Sequence, residues 1–165
     1  LPKMKIKSFS KFLKFMQVLL KMSSLLSIKE PPENDEATSV LLCKCYFYLL
    51  SSGISQLNKL GHPAIHDWAL KSPDRCYQWE VVGHPECTAY IRIKAGKSRA
   101  GRGAYKRAKP FFNMKFDCPT SALKILLGTG DMFQMTANQQ LIMEGGPEFG
   151  VQIGDYMMIV GDLAS

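Results

Sequence analysis

The sequence predicts an α+β fold: a five-stranded, mostly antiparallel sheet covered by helices, with an extra amphipathic helix at the N-terminus. Three observations carry this. Apolar residues recur at helical spacing up to about Lys71, then change to period two from Arg75. Glycine-bearing turns break the period-two region, as they do in antiparallel hairpins. Helical stretches resume after Cys118 and close the chain, so helices and strands are grouped rather than strictly alternating.

The elements follow in order. Residues 8–28, SFSKFLKFMQVLLKMSSLLSI, place Phe9, Phe12, Leu13, Met16, Leu19 and Leu20 on one helical face and Ser10, Lys14, Gln17, Lys21 and Ser24 opposite. Such a cationic amphipathic helix suits an anionic membrane surface. The commoner use of such a stripe is packing, here on the domain or across a homodimer. KEPPENDEATS, rich in proline and acid, reads as a linker, so residues 1–36 stand apart from a domain over 37–165. A second helix is expected near 37–60, with Gly61 just beyond its end. A short one is expected from Pro63 to about Lys71, with proline at its first position.

Strands are expected over 76–82, 88–95, 102–107 and 109–117, as a four-stranded meander. Ala89, Ile91, Ile93 and Ala95 should face inward on the second; Phe112, Met114 and Phe116 alternate with Phe111, Asn113 and Lys115 on the fourth. GKSRAG reads as a hairpin turn. Thr120 is a plausible N-cap for the helix SALKILL, which Gly128 ends. DMFQMTAN is a short helix, QLIME (140–144) the last strand, GGPEFG a turn, and VQIGDYMMIVGDLA the final helix.

Charge and cysteines narrow the function. The formal charge of +7 belongs to the N-terminal segment. Seven lysines (Lys3, Lys5, Lys7, Lys11, Lys14, Lys21, Lys29) precede Glu30 with no acidic residue, and thereafter 14 basic and 14 acidic residues balance. No stretch reaches about 18 uninterrupted apolar residues, so no spanning helix is expected. Lys14 and Lys21 break the apolar run that a signal peptide would need, and no A-x-A pattern follows. Five cysteines form no dense framework; free thiols in a reducing compartment fit better. Cys43 and Cys45, two apart on a helix, point to different sides and suit burial rather than a shared metal. The expected location is cytoplasmic, with membrane-peripheral contact through residues 8–28.

AGKS (95–98) resembles the tail of a phosphate loop, but Ile91 stands where the loop's first glycine belongs, and no helix start follows. His62 and His66 have a ligand spacing without a third ligand.

The stretches YQWEV, TAYIRIKAGK, FFNMKFDCPTSALKILLG and QLIMEGGPEFGVQIGDYM resemble the sterol carrier protein 2 (SCP2-like) family of lipid-binding domains, over roughly residues 40–165. The chain departs from that pattern in residues 1–36, and at Asn138-Gln139, where a glycine commonly opens the last strand. The resemblance implies a non-catalytic carrier whose five-stranded sheet and helices enclose an apolar tunnel for fatty acid, fatty acyl-CoA or sterol-like lipid, with no cofactor. Independently, six of nine methionines lie between Met114 and Met158, and methionine adapts to varied hydrocarbon shapes. The expected lipid-contacting set is Phe112, Met114, Phe116, Leu123, Leu126, Leu127, Met132, Phe133, Met135, Met143, Ile153 and Met157; a Met-rich core without a cavity is the plain alternative.

Three other classes compete. Cys118, just before a helix start, suggests thiol chemistry, yet no motif brings His62, His66 or His84 to it as a base. Basic residues interleaved with Tyr90, Tyr105 and Phe111 suggest nucleic acid, but no RNP-like consensus occurs and the domain carries no excess charge. An accessory or scaffold domain, shaping a partner enzyme's hydrophobic site or an oligomer interface, keeps the fold and drops transport.

Overall fold

The computed structural model describes residues 6–21, 27–28, 30–32 and 34–164, with backbone only for residues 6–9 and 164. Among the described residues the order is α1 (Ile6–Lys21), α2 (Glu36–Lys59), α3 (Pro63–Lys71), β1 (Arg75–Val81), β2 (His84–Lys94), β3 (Lys97–Arg102), β4 (Phe112–Phe116), α4 (Pro119–Leu126), α5 (Met132–Ala137), β5 (Leu141–Glu144) and α6 (Pro147–Ala164). The class is α+β, and the single sheet is five-stranded and mostly antiparallel, as expected. Of the amphipathic helix expected over 8–28, α1 supplies the part to Lys21; residues 22–26, with Ser24, and the Phe9 side chain lie outside what is described.

α2 is the core helix. Asp35 caps it, accepting from the Thr38 N–H at 3.1 Å and the Thr38 hydroxyl at 2.6 Å. At the other end Gly61 adopts φ +82°, and the His62 N–H reaches the Leu57 carbonyl at 2.9 Å, the six-to-one bond of a Schellman closure. By length and composition α2 could cross a membrane. Here its stripe of Leu42, Cys43, Phe47, Leu50 and Ile54 is buried, and the helix lies across β2 and β3. α1 rests against it through the Phe15 and Tyr48 rings, 6.3 Å apart.

The strand order is β3-β2-β1-β4-β5, with β4 parallel to β1. This corrects the expected meander. A parallel neighbour needs a crossover, and residues 103–111 provide it by recrossing the sheet's second face. There the Tyr105 ring lies 5.1 Å from that of Tyr90, and the Tyr105 N–H donates to Gln78 Oε1 at 2.9 Å. The strand expected over 102–107 does not form: Arg102 ends β3 and residues 103–107 are not strand. The segment expected as a turn is instead β3, and the turn is the pair Ala95 (φ +46°) and Gly96 (φ +88°), the backbone that a tight two-residue hairpin requires. Ala95 is therefore exposed in the turn, not inward, while Ala89, Ile91 and Ile93 are buried as expected.

The AGKS motif is consumed by this packing. Its Ala95 and Gly96 amides donate to the Ser72 and Ala69 carbonyls at 2.9 and 2.7 Å, and Ser98 Oγ meets Ser55 Oγ and Asn58 Nδ2, each at 2.9 Å. Two helix starts also differ from expectation. α4 begins at Pro119 with Cys118 at the cap position, not Thr120, and α6 begins at Pro147 rather than Val151. In both cases proline's fixed φ suits the first helical position. Where the family pattern has glycine, Gln139 takes φ +60° itself; its N–H donates to the Thr136 carbonyl and that of Gln140 to Met135, closing α5 in Schellman form.

Candidate functional site

The sequence-derived lipid set falls together in one layer between sheet and helices. Phe112, Met114 and Phe116 of β4, Leu123 of α4, Met135 of α5, and Ile153 and Met157 of α6 belong to a single buried cluster. Leu126, Leu127, Met132 and Met143 pack against it. Phe133 does not; it projects from α5 and is 82% exposed. The register explains the grouping, since Trp79, Met114 and Met143 stand side by side on β1, β4 and β5, facing the helices.

Methionine ends fill this layer against glycine backbone. A Cβ at Gly150 of α6 would lie 2.5 Å from Met143 Sδ and 3.2 Å from both Met143 Cε and Phe112 Cζ. One turn on, a Cβ at Gly154 would lie 3.6 Å from Met132 Cε. The notch along α6 is thus occupied by flexible thioether chains, which can change rotamer more freely than branched ones.

Beside Gly150, α3 and α6 part to leave an open cleft of about 320 Å³, walled by Trp68, Lys71, Arg75, Phe149, Gln152 and Tyr156. Ring contacts lead inward from it: Phe149 to Phe111 (4.7 Å), Phe111 to Tyr77 (5.9 Å), Tyr77 to Phe112 (6.4 Å). Phe112 is also the ring that meets Gly150, so the aromatic path ends at the methionine-filled notch. The Arg75 guanidinium sits over Phe111 at 4.1 Å and Phe149 at 5.2 Å. Tyr77 is fully buried, and its hydroxyl has no hydrogen-bond partner. Burial pushes that phenol's pKa up, with Arg75 and Trp68 pulling the other way. None of the residues walling this cleft was in the sequence-derived set. They come from three separated elements, and each looks ordinary in its own stretch, so no local signal marks them.

The other sequence candidates are spoken for. Cys118 lies 3.3 Å from Ser121 Oγ. His62 Nδ1 accepts from the Ile65 N–H as a cap, His66 Nδ1 meets Asn58 Oδ1 at 2.9 Å, and His84 lies between Glu36 and Glu86. Among the described residues no group of three His, Cys, Asp or Glu could hold a metal. Cys43, Cys45, Cys76 and Cys87 are buried free thiols, and burial raises the pKa of each. Tyr90 and Tyr105 face each other, and Arg92 forks onto Asp74 at 2.8 and 2.6 Å, holding that carboxyl below its ordinary range.

No family model and no curated protein matches the chain. In arrangement it is similar to solved SCP2 structures. A UbiJ-SCP2 ubiquinone synthesis protein aligns at TM-score 0.41 and 18% identity, over 71% of this chain and 96% of that one. Sterol carrier protein 2 aligns at TM-score 0.43 and 12% identity, over 72% and 92%. A stereoselective inverting sec-alkylsulfatase from Pseudomonas sp. aligns at TM-score 0.39 and 12% identity, over 92% of this chain and 28% of the enzyme.

Proposed function

We propose that this chain binds apolar lipids without catalysis, in the layer between the sheet and α6, entered from the α3–α6 cleft. The observation that carries the reading is the junction of that cleft with a notch filled by methionine ends against Gly150 and Gly154. Met143 and Met132 carry flexible thioether ends, and their rotation is the movement by which this layer would admit a hydrocarbon chain. Each methylene buried there gains about 0.8 kcal/mol. The sequence resemblance to SCP2-like domains supports the same reading. α1 has a part in it: Leu13, Met16 and Leu20 are 46%, 37% and 70% exposed, beside Lys14 and Lys21, as a helix resting on an anionic bilayer would need.

The test is native mass spectrometry of the purified chain with organic extraction of its ligand, followed by titration with cis-parinaric acid. Co-purifying lipid, or saturable fluorescence on titration, supports the reading. Neither result, with the chain folded, removes it in favour of an accessory module that presents its surface to a partner.

A further inference from the structure

The α3–α6 cleft has a chemistry that an apolar tunnel does not need. Its carboxylate, Asp67, is already paired with Lys71 at 2.9 Å, which leaves Arg75 as the uncompensated charge of the walls. No ion pair among the described residues involves Arg75, whose guanidinium instead lies over two phenyl rings. That arrangement fixes the cation's position with no carboxylate paired to it. The Tyr77 hydroxyl is fully buried, near enough to Arg75 and Trp68 for both to lower its pKa yet in good hydrogen-bond geometry with neither, a state that costs free energy unless something accepts or donates there. Arg75 stands in the cleft wall and the Tyr77 hydroxyl lies behind that wall, so an oxyanion seated on the guanidinium would have the orphaned hydroxyl as its second donor once the wall yields. At about 320 Å³ the cleft stands at the small end of ligand pockets. It suits a head group and its first carbons, with the remaining chain lying elsewhere.

We infer that this cleft seats the oxyanion head of a single-chain amphiphile, a carboxylate or a phosphate, on Arg75 and the Tyr77 hydroxyl, with the tail running past Phe112 toward Met143. The inference rests on the lipid-binding reading and adds the head-group class to it. A neutral sterol or ester would leave both donors unmet.

The experiment is competition against cis-parinaric acid on the whole chain, with dodecanoate, its methyl ester and a lysophosphatidic acid of the same chain length. Wild type should bind dodecanoate at least about tenfold tighter than the ester, as loss of a charge-assisted bond implies. Arg75→Met should erase that difference, weakening the acid about tenfold and the ester less than about twofold. Tyr77→Phe should weaken the acid selectively, whereas Lys97→Met, an exposed cation outside the cleft, should change neither. A lysophosphatidate that outcompetes dodecanoate and loses its advantage in Arg75→Met supports the site and assigns the head as phosphate. Equal affinity for acid and ester in wild type overturns the inference without any variant, and so does an Arg75→Met chain that binds acid normally. In both cases lipid binding itself stands. If wild type binds no probe, both readings fall.

Discussion

Replacing single glycines by alanine on α6, and on the face of α2 that meets it, tests whether the methionine layer yields. In a helix interior Gly→Ala is worth about 1 kcal/mol in propensity. At Gly154 the new Cβ would meet only Met132 Cε at 3.6 Å, an ordinary contact, so Gly154→Ala should stabilise by about that amount. At Gly53 of α2 the Cβ would sit 2.8 Å from Val160 Cγ1 and 3.2 Å from its Cγ2. Valine in a helix has one favoured rotamer and cannot swing aside. The overpacking cost of about 1–3 kcal/mol then exceeds the propensity gain, and Gly53→Ala should destabilise by about 1 kcal/mol. Gly150→Ala decides the functional question. Its Cβ would sit closer still, 2.5 Å from Met143 Sδ, but at an atom of a chain with three rotatable bonds. If Met143 moves easily and the Phe112 ring gives by a few tenths of an ångström, stability stays within about 0.5 kcal/mol of wild type, while fatty-acid binding falls because the notch is narrowed. Urea midpoints and melting temperatures read the series, each kcal/mol corresponding to about 2–4 °C in a chain of this size. A Gly150→Ala chain as destabilised as Gly53→Ala would falsify the claim that the layer is adaptable, and the lipid reading would lose its main support.

Four further outcomes are expected. Asn58 is buried and bonds the Gly96 carbonyl, Ser98 Oγ and His66 Nδ1, so Asn58→Ala should cost about 2–4 kcal/mol in urea unfolding; a loss below 0.5 would mean water replaces it. Gln139→Gly relieves a side chain at φ +60° and should stabilise by up to about 1 kcal/mol, seen as a higher melting temperature; no gain would place the strain elsewhere. Burial pushes the Cys76 thiol to about 12 and the Cys87 thiol to about 11, while unfolded thiols ionise near 8.5. Their folded pKa values are raised, so this contribution is whole below about pH 8.5 and is lost above it, by about 1.4 kcal/mol per pH unit per thiol. Urea midpoints from pH 8 to 10 should fall, less steeply in Cys87→Ala, and a flat profile refutes the burial argument. Leu13→Ser/Leu20→Ser removes exposed apolar area from α1 and should reduce binding to phosphatidylserine vesicles with unchanged melting; undiminished vesicle binding removes α1 as the contact.

Periodicity located the helices and most of the strands because each depends on side chains a few residues apart. The extent of α2, its glycine closure and the inward run of Ala89, Ile91 and Ile93 were legible for that reason. Methionine clustering likewise marked the layer that β4, α4, α5, β5 and α6 build together. Local pattern failed where a single backbone conformation decided the outcome. Ala95 at positive φ put the hairpin turn at Ala95-Gly96 and left the rest of GKSRAG as strand. The proline starts of α4 and α6 fall in the same group, since proline's fixed φ outweighs apolar spacing in setting where a helix begins.

By itself, then, the sequence determined where the helices and most of the strands lie and which faces are apolar, since these follow from local geometry and burial preference. The tertiary structure alone decided that β4 leaves β3 and pairs parallel with β1, because two strand edges with similar alternation compete and only the crossing loop's contacts choose between them. It alone decided the cleft as well. Trp68, Arg75, Phe149 and Tyr156 lie up to 88 residues apart and acquire a shared chemistry only when α6 closes over the sheet beside α3.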